Sequence, residues 1–132
     1  MNTQDKKKAM WQRTKAFASK VVRLYVMLDK RLGEVEILGK QMLRCGTSVA
    51  ANYREASRAR SDAEFVAKIE LCAQEADETQ LWLELLNEDC AIDIKLTQPI
   101  WQEADELISI FVTMARNTKD RRNNSKPEAS ES

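Results

Sequence analysis

Apolar side chains recur at alternating intervals of four and three residues along most of this chain. One run with a single polar member reads Leu38, Met42, Cys45, Val49, Asn52, Ala56. This spacing places side chains on one face of an α-helix. The sequence holds only three Gly and two Pro, so few turns interrupt the pattern and a many-stranded sheet is disfavoured. Long amphipathic helices are therefore the expected elements.

The first half of the chain predicts two helices. The first covers Ala9–Leu32, and Gly33 follows it as a C-cap. The second begins near Glu34, where an acidic first turn suits the positive end of the helix dipole.

The second half predicts two more helices. Ser61 and Glu64 form a capping box at the start of the third helix, which ends around Asp89. Thr97 is the predicted cap of the fourth helix, with Pro99 in its first turn.

Four such helices joined by short loops predict an all-α fold, an antiparallel up-down-up-down four-helix bundle. The expected domain covers residues 1–116. Residues 117–132 are polar, and we expect a frayed helix end followed by a disordered tail.

Charge is segregated along the sequence although the net charge is zero. Residues 1–60 carry 14 Lys/Arg and 5 Asp/Glu, whereas residues 61–110 carry 2 and 13. One interpretation is attraction between neighbouring helices. The other is a basic face for a polyanion and an acidic face for a protein partner.

The residue types argue against an enzyme. Histidine is absent, which removes the commonest general base and the commonest zinc ligand. The three cysteines lack metal or redox spacing, so we expect no cofactor and no metal. The catalytic alternative is an acid–base pair of carboxylates, Glu55 and Glu78.

No membrane segment is expected, because no run of eighteen or more apolar residues occurs. The N-terminus lacks the apolar core of a signal peptide. We therefore expect a cytoplasmic protein with reduced thiols.

Basic residues on the second helix are the candidate nucleic-acid contacts. Cations near a helix C-terminus also simply suit the helix dipole. Tyr53 is an expected stacking ring, and residues 6–8 are three lysines that extend the patch as a basic arm. The candidate contacts are Lys40, Arg44, Arg54, Arg58, Arg60.

A polar group on the second helix interrupts its apolar seam. Asn52 is expected to be buried there and to fix the register of neighbouring helices. Its predicted structural network comprises Ser48, Asn52, Glu55 and Glu78.

Several large apolar residues fall outside the main seam. They belong either to a broad core stripe or to a subunit interface, where aromatic residues are enriched. The candidate interface residues are Tyr25, Leu71, Trp82, Leu85, Trp101.

Residues 41–56, Q-M-L-R-C-G-T-S-V-A-A-N-Y-R-E-A, resemble a family signature. It is that of the bacterial four-helix-bundle proteins encoded by intervening sequences within 23S ribosomal RNA genes. Leu43, Arg54 and Ala56 depart from the pattern, and a second matching segment lies between residues 75 and 86. The matching signature residues are Gln41, Arg44, Ser48, Asn52, Glu55.

This resemblance implies a four-helix bundle that assembles as a homopentameric ring without enzymatic activity. A relative, the accessory variability determinant of diversity-generating retroelements, is a basic pentamer that binds nucleic acid and a reverse transcriptase. The first hypothesis is therefore an oligomeric scaffold that presents basic patches to RNA, DNA or a ribonucleoprotein. The alternative is an accessory subunit of a reverse transcriptase, which binds the polymerase and its template RNA.

Overall fold

Four α-helices form the part of the chain that the structure, a computed structural model, describes, residues 2–125. That part contains no strand, which confirms the all-α fold class. The helices are α1 (Thr3–Met27), α2 (Gly33–Ser57), α3 (Asp62–Cys90) and α4 (Ile94–Ser125).

Consecutive helices run antiparallel, as predicted for an up-down-up-down bundle. On α2 and α3, Cys45 lies beside Glu78 and Glu55 lies beside Lys68, so one helix descends as the other rises. α1 packs mainly on α2 and only slightly on α4. Within residues 2–125, α1 and α3 make no close backbone contact, so they occupy diagonally opposed corners of the bundle.

The apolar seams meet in one core between the helices. Tyr53 is 3% exposed and its ring stacks on Phe111 at 6.3 Å. Its predicted role as an exposed stacking ring is therefore wrong. Asn52 is only half-buried. A strict four–three repeat shifts gradually around a straight α-helix, so at this point of α2 the core position belongs to Tyr53 instead of Asn52. The largest fully buried side chains include Phe17, Met42, Ile69, Leu83, Leu86, Leu107, Phe111.

The ends of α1 differ from the prediction of Ala9–Leu32. The helix starts at Thr3 because the Asn2 side chain accepts a hydrogen bond from the Asp5 backbone N–H at 2.9 Å. It ends at Met27, and the Lys30 ammonium donates to the Tyr25 carbonyl at 3.0 Å. Gly33 is the first residue of α2, not the C-cap of α1.

The predicted cap of α3 is confirmed. The Ser61 hydroxyl accepts from the Glu64 backbone N–H at 3.1 Å. The Glu64 carboxylate accepts from the Arg60 backbone N–H at 3.1 Å, one residue earlier than in a full capping box. The helix ends at Cys90, one residue beyond Asp89.

α4 is longer at both ends than predicted. It begins at Ile94, because the Asp93 carboxylate accepts from the Lys95 backbone N–H at 2.9 Å and replaces the predicted cap. Thr97 is buried inside the helix and Pro99 also lies within it.

The helix continues past the predicted domain boundary at residue 116 as far as Ser125. Buried Thr118 and an ion pair of 2.8 Å between Lys119 and Glu70 hold this end against the bundle. Residues 126–132 of the predicted tail lie outside the described residues.

Two interior glycines allow α1 and α2 to approach closely. A Cβ atom at Gly46 would lie 2.7 Å from both Cγ atoms of Val21. At Gly39 the nearest atom would be Leu28 Cδ1 at 2.9 Å, the end of a flexible side chain. Gly46 therefore has no room for a side chain unless the helices move apart.

Replacing Gly46 with Ala should lower the free energy of unfolding by about 1–2 kcal/mol, because overpacking outweighs the gain in helix propensity. Gly39→Ala is the matched control, and it should equal or exceed the wild type in stability. Urea unfolding followed by circular dichroism measures both. Equal stabilities of the two variants would contradict the close approach at Gly46.

Candidate nucleic-acid interface

Basic side chains gather at one end of the bundle. The antiparallel register places the N-terminus of α1, with the three lysines at 6–8, beside the C-terminus of α2, with Arg54 and Arg58. Arg60 follows in the connection to α3 and lines a cleft of ≈ 400 Å³ together with Lys6 and Lys7. This basic end comprises Lys6, Lys7, Lys8, Arg54, Arg58, Arg60.

Trp11 organises the basic end, and the sequence analysis missed it. Its indole Nε1 donates to the Ser57 hydroxyl at 2.7 Å. The Cζ atoms of Arg54 and Arg58 lie 4.8 Å and 5.0 Å from the centroid of its ring. Such cation–π contacts hold a guanidinium in place without neutralising its charge.

The guanidiniums of Arg54 and Arg58 differ from those of other arginines in the bundle, which form ion pairs with carboxylates. Arg13 makes a bidentate pair with Glu103, with both N–O distances at 2.9 Å, which raises the pKa of Arg13. Among the described residues, neither Arg54 nor Arg58 has a carboxylate partner. Their donors therefore remain available to an external anion.

The five predicted contacts do not form one patch. Lys40 pairs with Glu36 at 2.9 Å, and this hydrogen bond raises the pKa of the lysine. Arg44 lies between Glu75 and Glu78, at 3.8 Å and 3.7 Å. Both residues are thus engaged by neighbouring carboxylates. The structure brings together only the remaining three, Arg54, Arg58 and Arg60.

The predicted polar network is divided into separate pairs. The Asn52 side-chain amide donates to the Ser48 carbonyl and hydroxyl, each at 3.0 Å, so its partners lie on its own helix. Glu55 pairs with Lys68 at 2.8 Å, which raises the pKa of Lys68. Glu78 faces Cys45, ten positions away from Glu55 in the helix register. The carboxylate pair proposed as the catalytic alternative is therefore wrong.

Glu78 belongs to a cluster with Cys45 and Glu75, whose potential ligand atoms lie within 4.8 Å of one another. The Cys45 thiol donates to Glu78 at 3.3 Å, while Arg44 donates to the sulfur at 3.3 Å. Burial, then the hydrogen bond to Glu78, raises the pKa of Cys45 to about 12. The Arg44 guanidinium already lies beside the cluster, with its Nη2 3.3 Å from the sulfur and 3.7 Å from the Glu78 carboxylate.

The candidate interface residues lie on different faces. Leu71 is 39% exposed on the outer side of α3, where Trp82 and Leu85 are half-buried. Trp101 is tied to α3 by a bond of 2.9 Å from its Nε1 to Glu84. Tyr25 lies between α1 and α2, with the Lys30 ammonium 4.8 Å from its ring.

The sequence matches the 23S rRNA-intervening sequence protein family over residues 6–113, a range that includes Trp11, all of α2 and α3 and most of α1 and α4. The chain belongs to this family. Within the described residues, no helix is long and apolar enough to cross a membrane.

A solved structure gives the same architecture. The chain is 33% identical to a Bacteroides thetaiotaomicron protein of unknown function from the S23 ribosomal protein family, whose crystal structure superposes with a TM-score of 0.73. The comparison covers 80% of this chain and 96% of that one. A search of curated proteins gives no match.

The thiols provide a test of the packing between α2 and α3. Burial raises the pKa of both Cys45 and Cys72 to about 12, so almost no thiolate forms at pH 8. Cys90 is only half-buried. At pH 8, a thiol reagent should therefore modify Cys90 first and the other two only after unfolding. Peptide mass spectrometry assigns the sites, and rapid labelling of Cys45 in the native protein would contradict the described packing.

Proposed function

We propose that this protein is a non-enzymatic scaffold that assembles with copies of itself and presents its basic end to the phosphates of RNA or DNA. The observation that carries the proposal is the pair of guanidiniums held on Trp11 without a carboxylate partner among the described residues. Guanidinium N–H groups that are not paired with a carboxylate suit phosphate oxygens, because a phosphate accepts two parallel hydrogen bonds from one guanidinium.

The surrounding lysines add to this electrostatic attraction. Lys7 and Lys8 line a cleft of ≈ 610 Å³ with Arg58, and Lys6 lines the adjoining cleft. Phosphate contacts of this kind position a polyanion without reading its sequence. Repetition of the same end in an assembly would let several weak contacts act together.

Charge and exposure support self-association between α1 and α3. α1 carries seven Lys/Arg and one Asp, whereas α3 carries one Lys and nine Asp/Glu. Exposed apolar residues accompany both charged helices: Val22 and Val26 on α1, and Leu71 and Leu81 on α3. Since the two helices occupy opposite corners, α1 of one copy and α3 of the next form a head-to-tail contact. Repetition of such a contact closes into a ring when the rotation permits, in agreement with the pentamer implied by the resemblance.

The reverse-transcriptase alternative uses the same acidic face of α3 for the polymerase. The two functions therefore make opposite predictions about that face, which is covered by a second copy in the scaffold and open in the accessory subunit. A cytoplasmic location is part of either proposal, and the three free cysteines agree with it.

The double variant Arg54→Gln/Arg58→Gln should bind structured RNA at least tenfold more weakly than the wild type. The slope of log affinity against log salt should fall by about 2, because two phosphate contacts are lost. Lys40→Gln/Lys95→Gln is the matched control, since it removes two exposed charges on α2 and α4, away from the basic end. Filter binding between about 50 and 200 mM salt measures both. Equal losses in the two variants would contradict a defined site.

Native mass spectrometry should show an assembly of several 15.1 kDa subunits, five under the family expectation. Leu81→Glu should convert it to folded monomers, because it adds charge to an apolar contact on an already acidic helix. Val112→Glu is the control, as Val112 is similarly exposed on α4, and it should leave the assembly intact. A monomeric wild type would exclude the ring and favour α3 as the docking face for another protein.

A further inference from the structure

One cleft of the basic end has the components of a nucleotide site, and not only of a charged surface. It measures ≈ 610 Å³, within the range of about 300–1,000 Å³ typical of small-ligand clefts. An aromatic ring, a guanidinium and two ammonium groups line it together. The lining residues are Gln4, Asp5, Lys7, Lys8, Trp11, Ser57, Arg58.

The cation–π contact between Arg58 and Trp11 is the central element of this cleft. Arg58 Cζ lies 5.0 Å from the centroid of the indole ring, and the ring is fixed by its bond of 2.7 Å to Ser57. Unpaired bases stack on aromatic rings and on arginine planes alike. A base that enters this cleft would meet a ring and a guanidinium that are already held together, with little ordering of the protein.

The charges flanking the stack fit the backbone of a single strand. Lys7 and Lys8 approach the cleft from α1, and Arg54 lies on the same indole ring from α2. Of the described residues that line this cleft, Asp5 is the one carboxylate, and the cations outnumber it. A positive groove combined with a stacking surface is the usual design of single-strand binding.

We propose that this cleft binds an unpaired nucleotide of single-stranded RNA or DNA, with its base stacked against Trp11 and Arg58 and its phosphates on the neighbouring cations. The inference rests on the proposed function and specifies its ligand. A base-paired duplex has its bases occupied, so it engages the cations but not the stack.

The test compares one labelled RNA strand of about 12 nucleotides, free of secondary structure, with the same strand annealed to its complement. Trp11→Leu should weaken single-strand binding about tenfold or more, because stacking is lost. Duplex binding should change by less than about threefold, since the cations remain. Fluorescence anisotropy at one fixed salt concentration measures both affinities.

Two controls separate stacking from structural damage. Trp11→Phe keeps a ring and should retain most of the single-strand affinity. Ser57→Ala removes the hydrogen bond to the indole together with the bond from the Ser57 hydroxyl to the Arg54 carbonyl, keeps the ring, and should behave like Trp11→Phe. Circular dichroism and native mass of each variant report on fold and assembly.

The outcomes distinguish this inference from the function on which it rests. Equal weakening of single strand and duplex in Trp11→Leu would overturn the nucleotide site while leaving phosphate binding in place. No effect of Trp11→Leu on either ligand would overturn it as well. Absence of binding to both ligands in the wild type would overturn the proposed function itself.

Discussion

The close approach of α1 and α2 determines what the basic end contains. Gly46 leaves room for Val21 and sets both the spacing and the register of this helix pair. Since antiparallel helices rise equally per residue, the same register places Trp11 opposite Ser57, about ten residues further along each helix. Arg54 and Arg58 then fall on the indole ring. A one-turn slip would take the ring away from one of the two guanidiniums, because Arg54 and Arg58 are themselves one turn apart.

Charge is balanced unevenly among the four helices. α2 and α3 are joined by Lys68–Glu55 and by Arg44 with its two glutamates, and α4 is joined to α3 by Lys119–Glu70. Attraction between neighbours therefore accounts for much of the acidic charge on α3. α1 lies at the opposite corner, where Arg13 alone of its cations pairs with a carboxylate of another helix among the described residues. Its remaining positive charge faces outward, where the proposed partners are anionic.

The fold followed from the sequence because heptad-like spacing and scarce turns leave few alternatives to a bundle. Helix ends were harder to predict, since single hydrogen bonds decide them. The caps at Asn2 and Asp93 place the starts of α1 and α4 earlier in the sequence than predicted. Which of Asn52 and Tyr53 is buried depends on how far a straight helix has turned relative to the four–three repeat, and the repeat alone does not show this. The spacing of apolar residues was therefore enough to predict the fold class, whereas the helix boundaries depend on individual contacts.

The candidate site was only partly predictable for a related reason. Arg54, Arg58 and Arg60 stand close in the sequence, so their cluster was visible. Trp11 lies more than forty residues away and joins them only through the register of two helices. Lys40 is distinguished from the other cations by a pair with Glu36 one turn away on its own helix. Arg44 is distinguished by tertiary contacts with Glu75 and Glu78 of α3, which its position in the sequence does not show.

The indole N–H signals in a nitrogen–proton NMR spectrum test the central claim most directly, because the chain has three tryptophans in three environments. The Trp11 indole donates to Ser57, the Trp101 indole donates to Glu84, and the Trp82 Nε1 is buried close to the Cys45 thiol. On titration with single-stranded RNA, the account predicts that the Trp11 signal shifts while those of Trp82 and Trp101 stay in place. A Trp11 signal that does not move while RNA binds would contradict it.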